Sequence, residues 1–307
     1  MSNPSFAKTK WHGWQPAPSG QLQTPQGGLP TRPTGRRLSS PYLARGARWL
    51  AGWLAVSAAA WGAETAAERG KRVVYEGLAA LGGDAFARMN DRVESGRAYS
   101  FYRSQISGLS IATIYTRYLA PTPGAPAVRE REAFGLHEDS AVLLTETGAW
   151  EVTFRGARPF DDKRYATYQD STLRNVLYIL RQRLKEPGLE FYWRGADFFE
   201  NRPVEMVDIT DARNETVTVY FDQLTKLPTR QTFRRRNEEF KDFDTEVTLF
   251  GLYRDVGGGV KWPCNIRRER NGEKIFEMFS DDVKINRNLK DNLFELPGNI
   301  KVLQKGK

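Results

Sequence analysis

The side chains best suited to catalysis are scarce beyond residue 63, where one Cys (Cys264) and one His (His137) remain. His137 lies in Gly135-Leu136-His137-Glu138-Asp139, and no serine elbow accompanies it, so it reads as an exposed turn residue. Cys264 stands in the strand-like run Trp262-Pro263-Cys264-Asn265-Ile266 and reads as a buried structural thiol. A single cysteine cannot close an intramolecular disulfide, and one Cys with one His is too few for a zinc site. No metal and no cofactor is expected. Gly257-Gly258-Gly259 joins one strand pattern to another, whereas a phosphate-cradling loop opens a helix, so it reads as a turn. Carboxylates are plentiful, which leaves a two-carboxylate hydrolase open, but no spacing singles out a pair. Arg234-Arg235-Arg236 is followed by Glu238-Glu239 and reads as a locally neutralised hairpin end.

What stands out is apolar capacity. Leu173, Val176, Leu177, Leu180 and Leu184 recur at helical spacing, which predicts one helix with a continuous apolar stripe. Arg174, Arg181, Gln182 and Arg183 fall away from that stripe, and Pro187-Gly188 ends the helix. In the following strand Leu189, Phe191 and Trp193 share one face, opposite Glu190, Tyr192 and Arg194. Val217, Val219 and Phe221 likewise oppose Thr218, Tyr220 and Asp222. One apolar face per strand suits a sheet solvated on its outside. Helix and sheet together can enclose an apolar cavity or pack as a solid core; pattern alone leaves both open.

The elements that must position these residues begin with a helix over 64–81, closed by Gly82-Gly83, and a short second helix from Asp84 through Met89. Short β-rich runs follow at 99–101, 111–115, 128–134, 141–144 and 150–154, punctuated by Gly108, by the Pro-rich stretch 121–126 and by Glu138-Asp139. After the central helix come strands at 189–193, 204–209, 216–221, 227–233, 245–253, 260–268 and 274–285. Asn271-Gly272 is a two-residue type I′ turn signal between the last two. About a dozen sequential strands with short turns predict an antiparallel meander curled into a barrel or part-barrel, its concave face covered by the helices.

The charge of the chain is unevenly placed. Of 46 Lys and Arg residues, seven (Lys8, Lys10, Arg32, Arg36, Arg37, Arg45 and Arg48) precede residue 64, where there is no Asp or Glu. The remaining 39 face 37 acidic residues, a body of +2 against +9 for the whole chain. A near-neutral body is a poor polyanion binder, so no nucleic-acid partner is expected. Residues 49–62 (WLAGWLAVSAAAWG) are uncharged and apolar, preceded by Arg45 and Arg48 and ending in small residues. That is the pattern of a secretory signal, and the run is shorter than the ~20 residues that cross a bilayer. The readings are a disordered basic leader over 1–48, a signal segment over 49–63 and a folded domain over 64–300. The long leader reflects either a start site set too far upstream or a twin-arginine signal using Arg36-Arg37; a retained membrane anchor is the alternative to cleavage.

Several stretches occur in an order that resembles a known family. They are Leu81-Gly82-Gly83 with Gly96, Asn201-Arg202-Pro203-Val204 leading to Ile209, and the hairpin segment 222–230 (DQLTKLPTR). Tyr253-Arg254 leading to Trp262-Pro263-Cys264-Asn265-Ile266 follows, then Val283-Lys284-Ile285-Asn286 with Leu289, Phe294 and Pro297. Across residues 73–297 the chain resembles the LolA/LolB-like periplasmic lipoprotein-carrier superfamily, in its outer-membrane lipoprotein-sorting-like branch. The resemblance implies a mostly β fold, an unclosed antiparallel half-barrel covered by helices. It also implies apolar binding of lipid or acyl chains without catalysis. Strands between 99 and 134 match only by pattern, and no lid-locking arginine is placed.

The expected function is therefore a periplasmic, non-enzymatic carrier or sensor of lipid, acyl chains or lipoprotein. Its expected lining is Leu173, Val176, Leu177, Leu180, Leu189, Phe191, Trp193, Val219 and Phe221, with no transmembrane segment in the mature protein. The alternatives are an envelope-stress or assembly module binding a partner protein and, behind it, the two-carboxylate hydrolase. Amino-terminal sequencing of protein from the envelope is expected to begin between Ala59 and Thr65; a start before Trp49 would contradict the signal reading.

Overall fold

The first helix is specified at both ends. Thr65 caps it: its hydroxyl accepts from the Glu68 amide at 3.2 Å while the Glu68 carboxylate accepts from the Thr65 amide at 2.9 Å. The helix α1 runs Ala66–Leu81 and ends at Gly82 (φ 123°) and Gly83 (φ 55°), both in the positive-φ region. A single turn, α2 (Asp84–Ala87), follows and buries Phe86. The computed structural model describes residues 64–305, so the leader over 1–48 and the apolar segment over 49–63 lie outside the described residues.

Thirteen strands form one antiparallel sheet, built from two meanders. The first comprises β1 (Asp91–Tyr102), β2 (Gln105–Tyr118), β3 (Val128–Phe134), β4 (Ser140–Thr145), β5 (Gly148–Thr153) and β6 (Gly156–Pro159). The second comprises β7 (Glu190–Phe199), β8 (Arg202–Thr210), β9 (Thr216–Asp222), β10 (Pro228–Asn237), β11 (Asp242–Asp255), β12 (Lys261–Arg270) and β13 (Glu273–Ile285). The chain leaves β6 at one edge, crosses to β7 at the opposite edge, and meanders back until β13 pairs with β1. Because β6 and β7 are edges, the sheet is unclosed. The C-terminal tail covers the β6 edge, with Ala157 N donating to Lys301 O and Leu303 N to Ala157 O.

The expected strands are present, and Asn271 (φ 50°) and Gly272 (φ 81°) form the turn between β12 and β13. Gly108 does not turn the chain, however. It lies inside β2, and the β1–β2 hairpin turns at Arg103 and Ser104, which both adopt positive φ. Strand β6 and the helix α3 (Asp162–Leu173) had no counterpart among the expectations.

The single striped helix is also corrected. Helix α3 ends at Leu173, and Asn175 begins a new segment by accepting from the Leu177 and Tyr178 amides at 2.9 and 3.4 Å. An Asn at this position competes with the helix for backbone donors and starts a second one instead. That second segment is α4 (Val176–Tyr178) continuing as a π-helix over Ile179–Arg183. Arg174, Gln182 and Arg183, expected away from the apolar stripe, are buried.

The inner face of the second meander carries Phe191, Val207, Ile209, Val217, Val219 and Phe221, which pack with α1, α2 and α4 into the largest core cluster. A fully buried side chain of this size stabilises by roughly 1.5–3 kcal/mol. The outer face of the first meander is not solvated as expected. The C-terminal segment lays Leu289 and Phe294 against Leu143, so β4 is buried on both faces. Asp91 anchors that segment by accepting from the Arg287 and Leu289 amides.

Replacing Gly82 and Gly83 together by Val should cost at least about 1 kcal/mol per residue and lower the thermal midpoint by several degrees. Gly82 should carry the larger share, since a Cβ there would meet Gly259 O at 2.7 Å. An unchanged melting curve would contradict the cap.

Candidate functional site

The crossover from α3 through Arg183 lies on the inner face and is tied by polar side chains to both meanders. Gln182 Nε2 donates to Leu119 O and Ala127 O of the first meander, at 3.0 and 2.9 Å. The Tyr178 hydroxyl accepts from the Ala127 amide at 2.6 Å. Toward the second meander, Gln231 Oε1 accepts from the Val176 amide at 2.8 Å, and Arg183 pairs with Asp211 at 3.1 Å. Arg181 donates twice to Met89 O, at 3.0 and 2.8 Å, and lies over the Tyr118 ring. Each tie satisfies a buried polar group that would otherwise be costly.

Beneath the crossover is the apolar floor. Val176, Leu177, Leu180, Val219 and Phe221 are buried in the main cluster, and Leu189, Phe191 and Trp193 pack against it partly buried. Leu173 is separated from them and packs with Val128, Tyr178 and Tyr118. Helix α1 rides directly on β7, where a Cβ on Gly70 would meet Trp193 N at 2.8 Å. Arg69 stacks on the Trp193 ring at 3.7 Å and pairs with Glu205. The Trp262 ring lies between Arg92, at 3.9 Å, and Phe86. The indole N–H groups of Trp193 and Trp262 are buried without an acceptor.

The inner face of the first meander is mixed: Val142, Leu144 and Phe160 pack beneath Tyr165 and Tyr168 of α3, and a polar group lies beside them. Arg92 pairs with Glu94 at 3.3 Å and donates to Thr116 Oγ1 at 2.9 Å. Thr116 donates to Glu130 at 3.2 Å, the Tyr168 hydroxyl of α3 reaches the same carboxylate at 3.4 Å, and Ser280 donates to Glu94. Glu132 is partly buried beside them; burial first, then the Glu130 charge, pushes its carboxyl up to about 7. Sequence reasoning missed this group. Residues 129–132 are all charged, so alternation does not say which of them turn inward.

Two surface clefts lie elsewhere. One of about 340 Å³ is lined by Phe154, Arg155, Pro297 and Lys301, and one of about 320 Å³ by Arg129, Trp150, Phe294 and Leu296. Neither is lined by the nine residues expected from the sequence or by Glu130 and Glu132. His137 is exposed in a turn, and Cys264 is buried, its thiol pushed up by burial. Among the described residues no three His, Cys, Asp or Glu side chains could hold a metal ion, and no helix is long and apolar enough to cross a membrane.

No family model and no curated protein matches the sequence. Solved structures do match. A Vibrio parahaemolyticus domain classed as an outer membrane lipoprotein-sorting protein superposes with TM-score 0.51 and 12% identity, over 75% of this chain and 97% of that one. A DUF1329 family protein from Desulfovibrio piger gives TM-score 0.52 and 11% identity, over 75% and 98%. The chain has a LolA-like fold. A LolA superfamily protein from Nitrosomonas europaea is more distant, at TM-score 0.44 and 11% identity over 74% and 97%. At these identities the likeness is one of fold. The residues that line the inner face are this chain's own.

The position of Glu132 predicts a pH effect. Its folded value of about 7 exceeds the unfolded one near 4.3, so the folded state holds the extra proton between them, and stability falls as pH rises through that window. Glu132→Gln should raise stability at pH 8 by about 1–2 kcal/mol and leave it nearly unchanged at pH 4. Equal melting shifts at both pH values would contradict the buried-carboxyl reading.

Proposed function

We propose that this chain is a periplasmic, non-enzymatic binding protein that takes a lipid or acyl chain onto the apolar inner face of its second meander. In this reading residues 1–48 are a leader, 49–63 an export signal and 64–300 the binding domain. Val176, Leu177 and Leu180 face the ligand from the crossover; Leu189, Phe191, Trp193, Val219 and Phe221 face it from the sheet, and Leu173 supports the crossover from its own cluster with Val128 and Tyr178. The observation that carries the reading is the cover itself, a helix broken at Asn175 and continued as a π-helix over an apolar floor. Such irregular turns exchange hydrogen-bond partners more readily than a long α-helix and recur at functional sites. Each methylene moved onto the floor contributes about 0.8 kcal/mol, so an acyl chain can replace packed side chains of similar area at little net cost. The unsatisfied indole N–H groups of Trp193 and Trp262 offer donors for the oxygens of a headgroup or ester.

Partner-protein binding is the second reading, favoured by unneutralised arginines on the outer face of β10. Leu177→Glu places an unpaired charge on the floor at a cost of several kcal/mol and should abolish binding of a fluorescent fatty-acid probe. Lys185→Glu, at an exposed position just beyond the crossover, should leave binding unchanged. A wild-type protein that binds no probe would contradict the lipid reading. Equal binding by both variants would move the ligand elsewhere.

A further inference from the structure

The run Arg234-Arg235-Arg236 is not neutralised locally. Strand β10 turns Arg235 inward, where it pairs with Asp170 at 3.1 Å and Glu246 at 3.4 Å. Arg234 and Arg236 point the other way with Arg230, and among the described residues no carboxylate lies within ion-pair distance of any of the three. Their neighbours on that outer face are neutral. Tyr220 and Thr218 stand opposite Arg230 and Thr232 on β9; Leu249, Val247, Thr245 and Phe243 stand opposite on β11. Across the sheet the acids beyond them are already engaged, Asp208 with Thr218 and Arg194, and Glu269 with Arg267.

The three cations are also held in place. Arg230 lies over the Tyr220 ring at 4.9 Å and the Phe199 ring at 5.5 Å, and Arg234 and Arg236 lie over Phe243 at 4.4 and 5.3 Å. Stacking keeps a guanidinium charged and oriented while leaving its N–H fork free for a carboxylate. Alternate residues of one strand are about 6.8 Å apart, so the row runs about 20 Å in a single line.

We infer that this row is a docking site for an extended acidic segment of a partner protein. An extended peptide has the same rise per residue as β10, so carboxylates at alternate positions meet the guanidinia in register. A flat anionic membrane fits less well. The row is one strand wide, and the hairpin at its end carries Glu238, Glu239 and Asp242, which an anionic surface repels. The basic leader of this chain is the wrong sign to occupy it. The site is independent of the apolar ligand proposed above, since it lies on the opposite face of the sheet.

The test uses the full chain and a labelled peptide of about a dozen residues with glutamate and serine alternating, which extended spans about 40 Å. Fluorescence anisotropy at low salt should show binding that weakens as salt is raised. Replacing the row in R230Q/R234Q/R236Q should weaken it about tenfold without lowering the melting temperature, as expected from three exposed ion pairs. Arg194→Gln, whose cation already has Asp208, should bind as wild type does. Vesicles containing phosphatidylglycerol form the competing arm. Absence of peptide binding by wild type, binding unaltered in the triple variant, or binding of vesicles in preference to peptide would each overturn the proposal.

Discussion

The fold depends on the buried polar ties that hold the crossover between the two meanders. Strand β13 joins β1 at the centre of the sheet, but on the inner face it is the segment from Arg174 to Arg183 that bridges the halves. Gln182 supplies donors to carbonyls at the end of β2 and in the loop before β3, while Gln231 receives an amide from α4. Arg183 is buried and compensated by Glu186 and Asp211, and Arg174 by Asp170 and Glu215. Buried ions stay tolerable only while every partner is in place. In this structure those directional bonds set where the crossover lies, and its apolar side chains follow.

Within that arrangement the inner face carries regions of different chemistry. Under the crossover and α1 the second meander presents aliphatic and aromatic side chains, whose burial is non-directional and tolerates exchange for another apolar body. Beside the apolar cluster of Val142, Leu144 and Phe160 under α3, the first meander joins Arg92, Glu94, Thr116 and Glu130 in a connected hydrogen-bond chain, which does not. In the proposed reading a ligand enters on the apolar side, and the hydrogen-bonded chain is the fixed frame. The C-terminal segment adds to that frame by covering the outer face of β4 and the β6 edge.

Much of this was legible in the sequence where a local signal met no competitor. Strand positions followed from alternation, and the end of α1 from Gly82-Gly83, which only a positive-φ pair explains. The faces of Phe191 and Trp193, and of Val219 and Phe221, read directly from period two. The crossover did not, because its apolar spacing continues across Asn175 while the backbone does not, a break made by one side-chain cap. The inward turn of Glu130 and Glu132 was hidden by charges at every neighbouring position. The Arg234–236 run was misread for a related reason. Sequence neighbours suggested Glu238 and Glu239 as partners, whereas the pleat sends Arg235 to one face and its neighbours to the other.

The central claim is that an apolar ligand competes with the crossover for the floor of the second meander. Amide hydrogen exchange over residues 176–184, with and without a saturating single-chain fatty acid, tests this most directly. The account predicts that exchange in this segment accelerates on ligand binding as its buried hydrogen bonds open, while α1 keeps its protection. Bound fatty acid with unchanged exchange over 176–184 would contradict it.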